Sequence, residues 1–305
     1  MSSSTEVTAS TATATTYKPK FWDSKTNRNR VGLIIKYIVA ALALTFALFP
    51  ILWTVSASFN PSGGISTQTL IPDPPTLRHY EAILEEPFWL WMWNSFKVAS
   101  VAAVLNALVG LMAAYGFSRY RFAGRNQLLL IVLLIQVFPA ILAMVALFAL
   151  LQQIGTYVPG LGLNTHGGLT LLYLGGAMGI NVWLIKGFFD SIPRDIDESG
   201  MMDGASDWQI FWRLLFPLVR PIMVVMMLLS FFGVYSDYLL PRVMLTQGDK
   251  FTLMLGLQTF IGDNYGQNWG AFAAGAVLGS IPMVTLYLIL QDYIVGGLTA
   301  GSVKG

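Results

Sequence analysis

The sequence predicts an all-α, polytopic membrane protein with six transmembrane helices and both termini cytoplasmic. Three observations predict it. Of 305 residues, 55% are hydrophobic and 11% charged, where a soluble domain carries about 25% charged residues. The mean hydropathy is +0.61, which places the chain among integral membrane proteins. Its apolar residues gather in six runs, over 31–54, 95–117, 127–151, 168–188, 218–240 and 271–295, each near the roughly 20 residues a bilayer core demands.

The elements follow in order. Residues 1–30 open with a Ser-, Thr- and Ala-rich stretch, too polar to bury a core and expected to be a disordered cytoplasmic tail. Lys18, Lys20, Lys25, Arg28 and Arg30 precede the first span. A secretory signal would place its apolar run closer to the start, so the first helix is expected to stay uncleaved and to open a permease domain over 31–305. A first outer loop over 55–94 contains Pro72-Asp73-Pro74-Pro75, where proline denies a helix, then a short helix near 80–85. Phe88, Trp89, Trp91 and Trp93 suit an interfacial aromatic belt. The third and sixth spans contain Pro139 and Pro282, positions where proline kinks a helix. The fourth span is the weakest helix, because Gly175, Gly176 and Gly179 lower its propensity. A second outer loop covers 243–270.

Lys and Arg set the orientation. Arg119, Arg121 and Arg125 lie between spans two and three, and Lys186, Arg194, Arg213 and Arg220 lie around the connection of spans four and five. The opposite side has Arg78, Lys97, Arg242 and Lys250. The tail, the 4–5 connection and the C-terminus are therefore assigned to the cytoplasm.

That 4–5 connection, over 190–217, has a composition of its own. Pro193 suits a first helical turn, and Asp195, Asp197 and Glu198 suit a helix N-terminus, where the dipole favours negative charge. Gly204 is expected to break the helix. Ser206 and Gln209 have the spacing of a capping box opening a second helix. Ile196, Met201, Met202, Trp208 and Phe211 give the pair apolar faces, rimmed by Asp195, Asp197, Glu198, Asp203 and Asp207 against Arg194 and Arg213. A helix lying on lipid favours Lys and Arg on its polar face. An acidic rim suits a protein partner better than anionic lipid.

The spacing of Glu198-Ser199-Gly200, Asp203-Gly204-Ala205 and, further on, Phe216-Pro217 resembles the "EAA" loop of ABC importer permeases, with Ser199-Gly200 in place of the usual Ala-Ala. Tyr115-Gly116-Phe117-Ser118-Arg119 is similar to the same family. Phe138-Pro139-Ala140, Leu147–Leu151, Gly162-Leu163-Asn164-Thr165-His166-Gly167-Gly168, Tyr173–Gly176 and the terminal Gly297–Gly305 resemble the smaller permease subunit of maltose/maltodextrin importers, the MalG type. The resemblance runs from about residue 31 to the end. It implies the type I ABC importer permease fold, with a second permease, two ATPase subunits and an extracytoplasmic sugar-binding protein as partners. It implies ATPase coupling through Glu198, Asp203, Gly204, Ala205, Arg213 and Pro217, and a C-terminal ATPase contact through Val303, Lys304 and Gly305. It implies that Gly262, Asp263, Asn264, Tyr265 and Gly266 enter the binding protein.

No Gly-x-x-x-x-Gly-Lys phosphate loop occurs, so the chain is not expected to be an enzyme, and ATP and Mg belong to the partner ATPase. The absence of cysteine excludes disulfides, thiolate metal sites and Cys nucleophiles. With His79 and His166 the only histidines, no metal or cofactor is expected, and a net charge of +2 leaves no nucleic-acid footprint. Within the spans, Asn106, Gln136, Asn181 and Asp237 are the polar candidates. Asp237 is a pathway or gate candidate if it lies inside the membrane and an inexpensive surface group if it caps the outer end of span five. His166 reads as structural. Three alternatives stay open. A same-family permease for another oligosaccharide or solute is compatible with the loop, although the Asn164–Gly168 stretch favours maltodextrins. An ion-coupled carrier places ionisable groups near the midplane, and Asp237 alone is available. A membrane enzyme would need convergent carboxylates, histidines or a nucleophile.

Overall fold

A computed structural model describes residues 25–64, 69–176, 178–262 and 267–300. The described residues are helical with short connections and contain no strand. They divide into two units, Met1–Trp53 and Thr54–Gly305. The described part of the first is the body of α1 (Lys25–Phe59). This helix starts within the stretch expected to be tail, with polar and basic residues over 25–30, then becomes almost wholly apolar and passes through Pro50.

The second unit is organised around α3 (Phe88–Arg119). Its buried residues Ala99, Ala102, Ala103, Asn106, Ala107, Gly110 and Ala114 recur every three to four positions and form a stripe of small side chains. Small residues let backbones approach closely, which drives helix association in lipid. Against α3 pack α6 (His166–Gly176), α7 (Met178–Ser191), α10 (Phe216–Tyr235) and α12 (Leu253–Gly262). The long α13 (Trp269–Ala300) packs on α10, α12 and the short α2 (Arg78–Glu85).

Among the described residues, four helices are long and apolar enough to cross a membrane. The third predicted span differs from its expectation. A continuous helix over 127–151 is replaced by α4 (Arg125–Val137) and α5 (Ala140–Tyr157), which meet at 102°. The physical reason is Pro139. It lacks an N–H, and it pushes the preceding residue out of the helical region, leaving Phe138 extended at ψ 126°. The fourth predicted span is helical on both sides of residue 177, which lies outside the described residues, as α6 and α7.

The aromatic cluster divides too. Trp89 and Trp93 are exposed, as a belt requires, but Phe88 and Trp91 are buried. The Trp91 indole donates to the Gly248 carbonyl at 3.2 Å, so these two rings belong to the protein interior. Nearby, Asn94 donates to the carbonyls of Asp249 and Phe251, both at 3.0 Å, and Ser95 Oγ accepts from Leu253 N at 2.7 Å.

Candidate coupling site

Segment 190–217 folds as two helical pieces joined by a tight elbow. The first, α8 (Asp195–Met202), carries Asp195, Asp197 and Glu198 in its first turn, where the unpaired N–H groups favour negative charge. It begins after the expected start, with Arg194 as the flanking residue. Pro193 therefore lies outside the helix and offers its carbonyl to Ile196 N at 3.4 Å.

The helix stops at Gly204, whose φ is +79°. This left-handed backbone costs an L-residue about 1–2 kcal/mol and glycine little. Gly204 N bonds the Met201 carbonyl and Ala205 N bonds the Gly200 carbonyl, both at 3.0 Å. This pair of reversed bonds is a Schellman motif. One residue later a capping box opens α9 (Asp207–Gln209): Gln209 N donates to Ser206 Oγ at 3.4 Å and Ser206 N to Gln209 Oε1 at 2.9 Å. A C-terminal cap and an N-terminal cap in immediate succession fix the angle of the elbow through its own backbone.

After α9 the chain continues through a π-helical turn, Ile210–Leu215, into α10, with Pro217 in that helix's first turn. Gly200 rests against this turn. A Cβ there would lie 2.8 Å from Leu214 Cδ1 and 3.0 Å from Ile210 Cγ1. The small-residue substitution noted in the sequence thus sits at a close helix contact. Ile210, Phe211 and Leu215 continue into a core with Leu111, Ile185 and Phe189.

One predicted rim residue is corrected. Asp197 is not on the exposed acidic face. It is buried, and its Oδ2 lies 2.9 Å from Nε of Arg119, with side-chain exposures of 11% and 8%. Neither atom completes an aligned hydrogen bond there, so the contact is an ion pair held by charge. Arg119 also donates to the carbonyls of Phe189 at 3.1 Å and Ile192 at 3.2 Å. One guanidinium therefore ties α8 to the last turn of α3 and the end of α7. Arg194 Nη2 adds a bond to the Ser118 carbonyl at 3.1 Å, and the Tyr120 hydroxyl donates to Asp207 Oδ2 at 2.9 Å. Partial burial, and then the Asp207 carboxylate, push that hydroxyl above its usual range.

Outward, the elbow presents Met201, Met202 and Trp208, at 56%, 88% and 64% exposure. Asp195, Glu198, Asp203 and Arg213 surround them, exposed, and none forms an ion pair among the described residues. Methionine adapts to irregular partner surfaces. The elbow thus carries an apolar ridge with an exposed charged rim on a base packed into the core. Of the proposed coupling residues, Glu198, Asp203 and Gly204 are exposed on the elbow, Ala205 packs partly into the core, and Arg213 and Pro217 are exposed on the following turns.

The remaining sites lie elsewhere. Asp237 occupies the break between α10 and α11 (Leu239–Met244). Its Oδ2 accepts from the Tyr173 hydroxyl at 2.8 Å and its Oδ1 from Leu239 N at 2.9 Å. Asn106 Nδ2 donates to Ser230 Oγ at 3.1 Å, joining α3 to α10. Asn164, at φ +57°, accepts at Oδ1 from Thr246 N at 2.6 Å and Thr246 Oγ1 at 2.9 Å. His166 Nε2 bonds the Lys250 carbonyl at 2.9 Å. The Gly162–Gly168 motif is thus a structural lock onto residues 244–250, in keeping with the structural reading of His166. Of the binding-protein loop, Gly262 ends α12, whereas Asp263, Asn264, Tyr265 and Gly266 lie outside the described residues, as do residues 1–24 of the tail and Val303, Lys304 and Gly305. Sequence reasoning missed Arg119 as the anchor of the elbow. The available signal was that Asp197 lies three residues before Gly200, so the two share one helix face.

Apolar helices long enough to span a membrane, joined by a capped elbow with an exposed apolar and charged face, suit a membrane transport subunit. Residues 106–299 match the family of binding-protein-dependent transport system inner membrane components. The chain belongs to that family, which makes it an inner-membrane permease of the ABC transport type rather than an enzyme. It is 42% identical over 278 residues to the maltose/maltodextrin transport system permease protein MalG of Vibrio parahaemolyticus, covering 86% of this chain and 92% of that protein. It is 38% identical over 291 residues to the protein of the same name from Escherichia coli K12, covering 90% and 97%. Its fold is similar, with a TM-score of 0.69 and 23% identity, to a chain from the crystal structure of a bacterial ABC transporter involved in the import of the acidic polysaccharide alginate, over 88% of this chain and 98% of that one.

Proposed function

We propose that this chain is a permease subunit of an ATP-driven importer of maltose and maltodextrins. It works with a second permease, two ATPase subunits that hold ATP and Mg, and an extracytoplasmic sugar-binding protein. In this reading the chain crosses the membrane six times, with α4–α5 and α6–α7 each supplying one passage, and both termini and the elbow face the cytoplasm. The observation that carries the coupling assignment is the elbow itself: a caps-defined turn that leaves Glu198, Asp203 and Arg213 unpaired around Met201, Met202 and Trp208. The elbow is braced on α3 and α7 through Arg119 and runs without a loop into α10. A displacement imposed by a closing ATPase pair therefore reaches the spanning helices as a rigid-body movement. Val303–Gly305 are proposed as a second ATPase contact, residues 262–266 as the probe of the binding protein, and Asp237 as a gate residue whose bond to Tyr173 opens or closes the α6–α10 corner.

The experiment is sugar-stimulated ATP hydrolysis and uptake by the complete transporter in nanodiscs. Maltodextrin plus binding protein is expected to stimulate the wild type. Glu198→Lys is expected to lower uptake about tenfold or more with insertion unchanged, since reversing one interfacial charge costs on the order of 1.4 kcal/mol or more. Normal uptake by Glu198→Lys would sink the coupling assignment, and stimulation by a different solute alone would sink the substrate.

A further inference from the structure

We propose that a cavity at the junction of α3, α4 and α7 is a phosphate site that holds the headgroup of an anionic membrane phospholipid. The cavity has a volume of about 410 Å³ and opens to the surface beside α8. Its lining includes Ser118, Arg119, Arg125, Asp190, Ser191 and Arg194, three guanidinium groups against one carboxylate.

The charges do not cancel internally. Arg119 is taken by Asp197 and two carbonyls. The Asp190 carboxylate accepts from Ser118 Oγ at 2.6 Å and from the Lys186 ammonium, so its charge is already met by Lys186. Arg125 and Arg194 remain, and neither forms a salt bridge among the described residues. Arg194 has one bond, to a carbonyl. Arg125 Nε is buried with no hydrogen-bond partner. A buried donor without an acceptor is costly, and more so when it is charged. Asp190 is shared by Lys186 and, more weakly, Arg125, which leaves the cavity with an excess of positive charge suited to receive an anion.

The geometry of guanidinium selects phosphate, because its planar fork meets two oxygens of one phosphate at once. The place selects lipid. Arg119 ends α3 and Arg125 begins α4, both at the polar ends of apolar helices, the level at which lipid phosphates lie. Basic pockets between spanning helices take anionic headgroups for this reason. The site also adjoins the elbow, since Arg119 faces both the cavity and Asp197. An occupied site would stiffen the base on which α8 rests. The inference stands independently of the transported solute.

The test is native mass spectrometry of the full-chain protein, purified with the subunits that accompany it, after exchange into phosphatidylglycerol or phosphatidylcholine. Phosphatidylglycerol is expected to be retained over phosphatidylcholine. Arg125→Gln should weaken that retention about tenfold, the loss of one charge-assisted bond. Arg125→Lys should keep part of it, and Arg121→Gln, outside the cavity, should keep all of it. Arg194→Gln supplies a second lesion should Arg125→Gln fail to assemble. Equal retention by the wild type and both cavity variants overturns the site. If inorganic phosphate protects the delipidated protein against thermal unfolding as well as phosphatidylglycerol does, the ligand is free phosphate and the lipid assignment falls. If Arg125→Gln sheds an accompanying ATPase subunit with lipid retention unchanged, the cavity receives a partner's carboxylate and the proposal is wrong.

Discussion

The two ends of α3 treat polar side chains in opposite ways. At the Trp91 end, several polar side chains of α3 and of the Asn164–His166 turn reach backbone partners in the same chain. Trp91, Asn94 and Ser95 bond residues 248–253, and Asn164 and His166 lock onto 246–250. At the Arg119 end, Arg119 and Asp197 make an internal brace, while Asp195, Glu198, Asp203 and Arg213 face outward without an ion pair among the described residues. The difference teaches how to separate structural from functional polarity in a permease. Polar groups satisfied within the chain hold the fold, and those left over on a rigid base await something else. Each prediction below breaks one end while sparing the other.

The largest effect is expected at the brace. Arg119→Ala leaves Asp197 buried and alone, and breaking a buried pair from one side costs about 3–5 kcal/mol. Thermal unfolding of the purified protein should shift by several degrees downward, with loss of coupled transport. The double replacement Arg119→Met with Asp197→Leu should restore much of the stability, because apolar residues of similar size replace buried pairs well, but should leave the elbow less firmly anchored. If the double variant is no more stable than the single one, the pair is not the brace described.

At the other end, Asn164→Ala removes an acceptor of two bonds and places alanine at φ +57°. The sum is about 1–3 kcal/mol. Melting temperature should fall while transport per folded molecule stays normal. Uncoupled ATP hydrolysis in Asn164→Ala would show that this end also takes part in coupling, and the contrast between the ends would fail.

A smaller effect is expected at the capping box. Ser206→Ala loses one cap, about 1 kcal/mol. The elbow is exposed and its apolar base remains, so the global melting point should barely move. Hydrogen exchange of the amides in 207–210 should rise, and coupling should weaken in proportion. Ser206→Asp, which can still cap, should behave as the wild type.

The sequence makes the elbow legible because its determinants are local. The break at Gly204, the capping box at Ser206 and Gln209, and the acids of the first turn of α8 each act within four residues. The anchor of the elbow was not legible, because Arg119 and Asp197 belong to elements far apart in the chain. Nor did composition separate Trp91 from Trp93, one in the core and one exposed. Lipid-facing and core-facing side chains are equally apolar, so a spanning helix lacks the amphipathic stripe that would reveal its buried side. The same limit explains the third span, where apolar stretches on either side of Pro139, interrupted before it by Gln136, conceal a corner that only the missing N–H announces.

The smallest effect concerns pH, and it discriminates between the ends without altering a residue of the elbow. Burial lowers the His166 pKa below its ordinary value of 6.5, outweighing the bond to the Lys250 carbonyl, with Lys97 and Lys250 lowering it further and Asp249 opposing them. The folded protein therefore favours neutral imidazole. A group whose folded pKa is depressed contributes its stability above the unfolded pKa and loses it as pH falls through that value toward the folded one. The melting temperature should thus decline as pH drops from about 7.5 to 5. A His166→Gln variant, which retains a donor toward the Lys250 carbonyl, should show a flatter profile over that window. Coupling at neutral pH should be the same in both, because the lock at this end holds the fold and does not receive the push. An identical pH profile in the variant would mean that another group titrates, and that the imidazole bond contributes little to the lock.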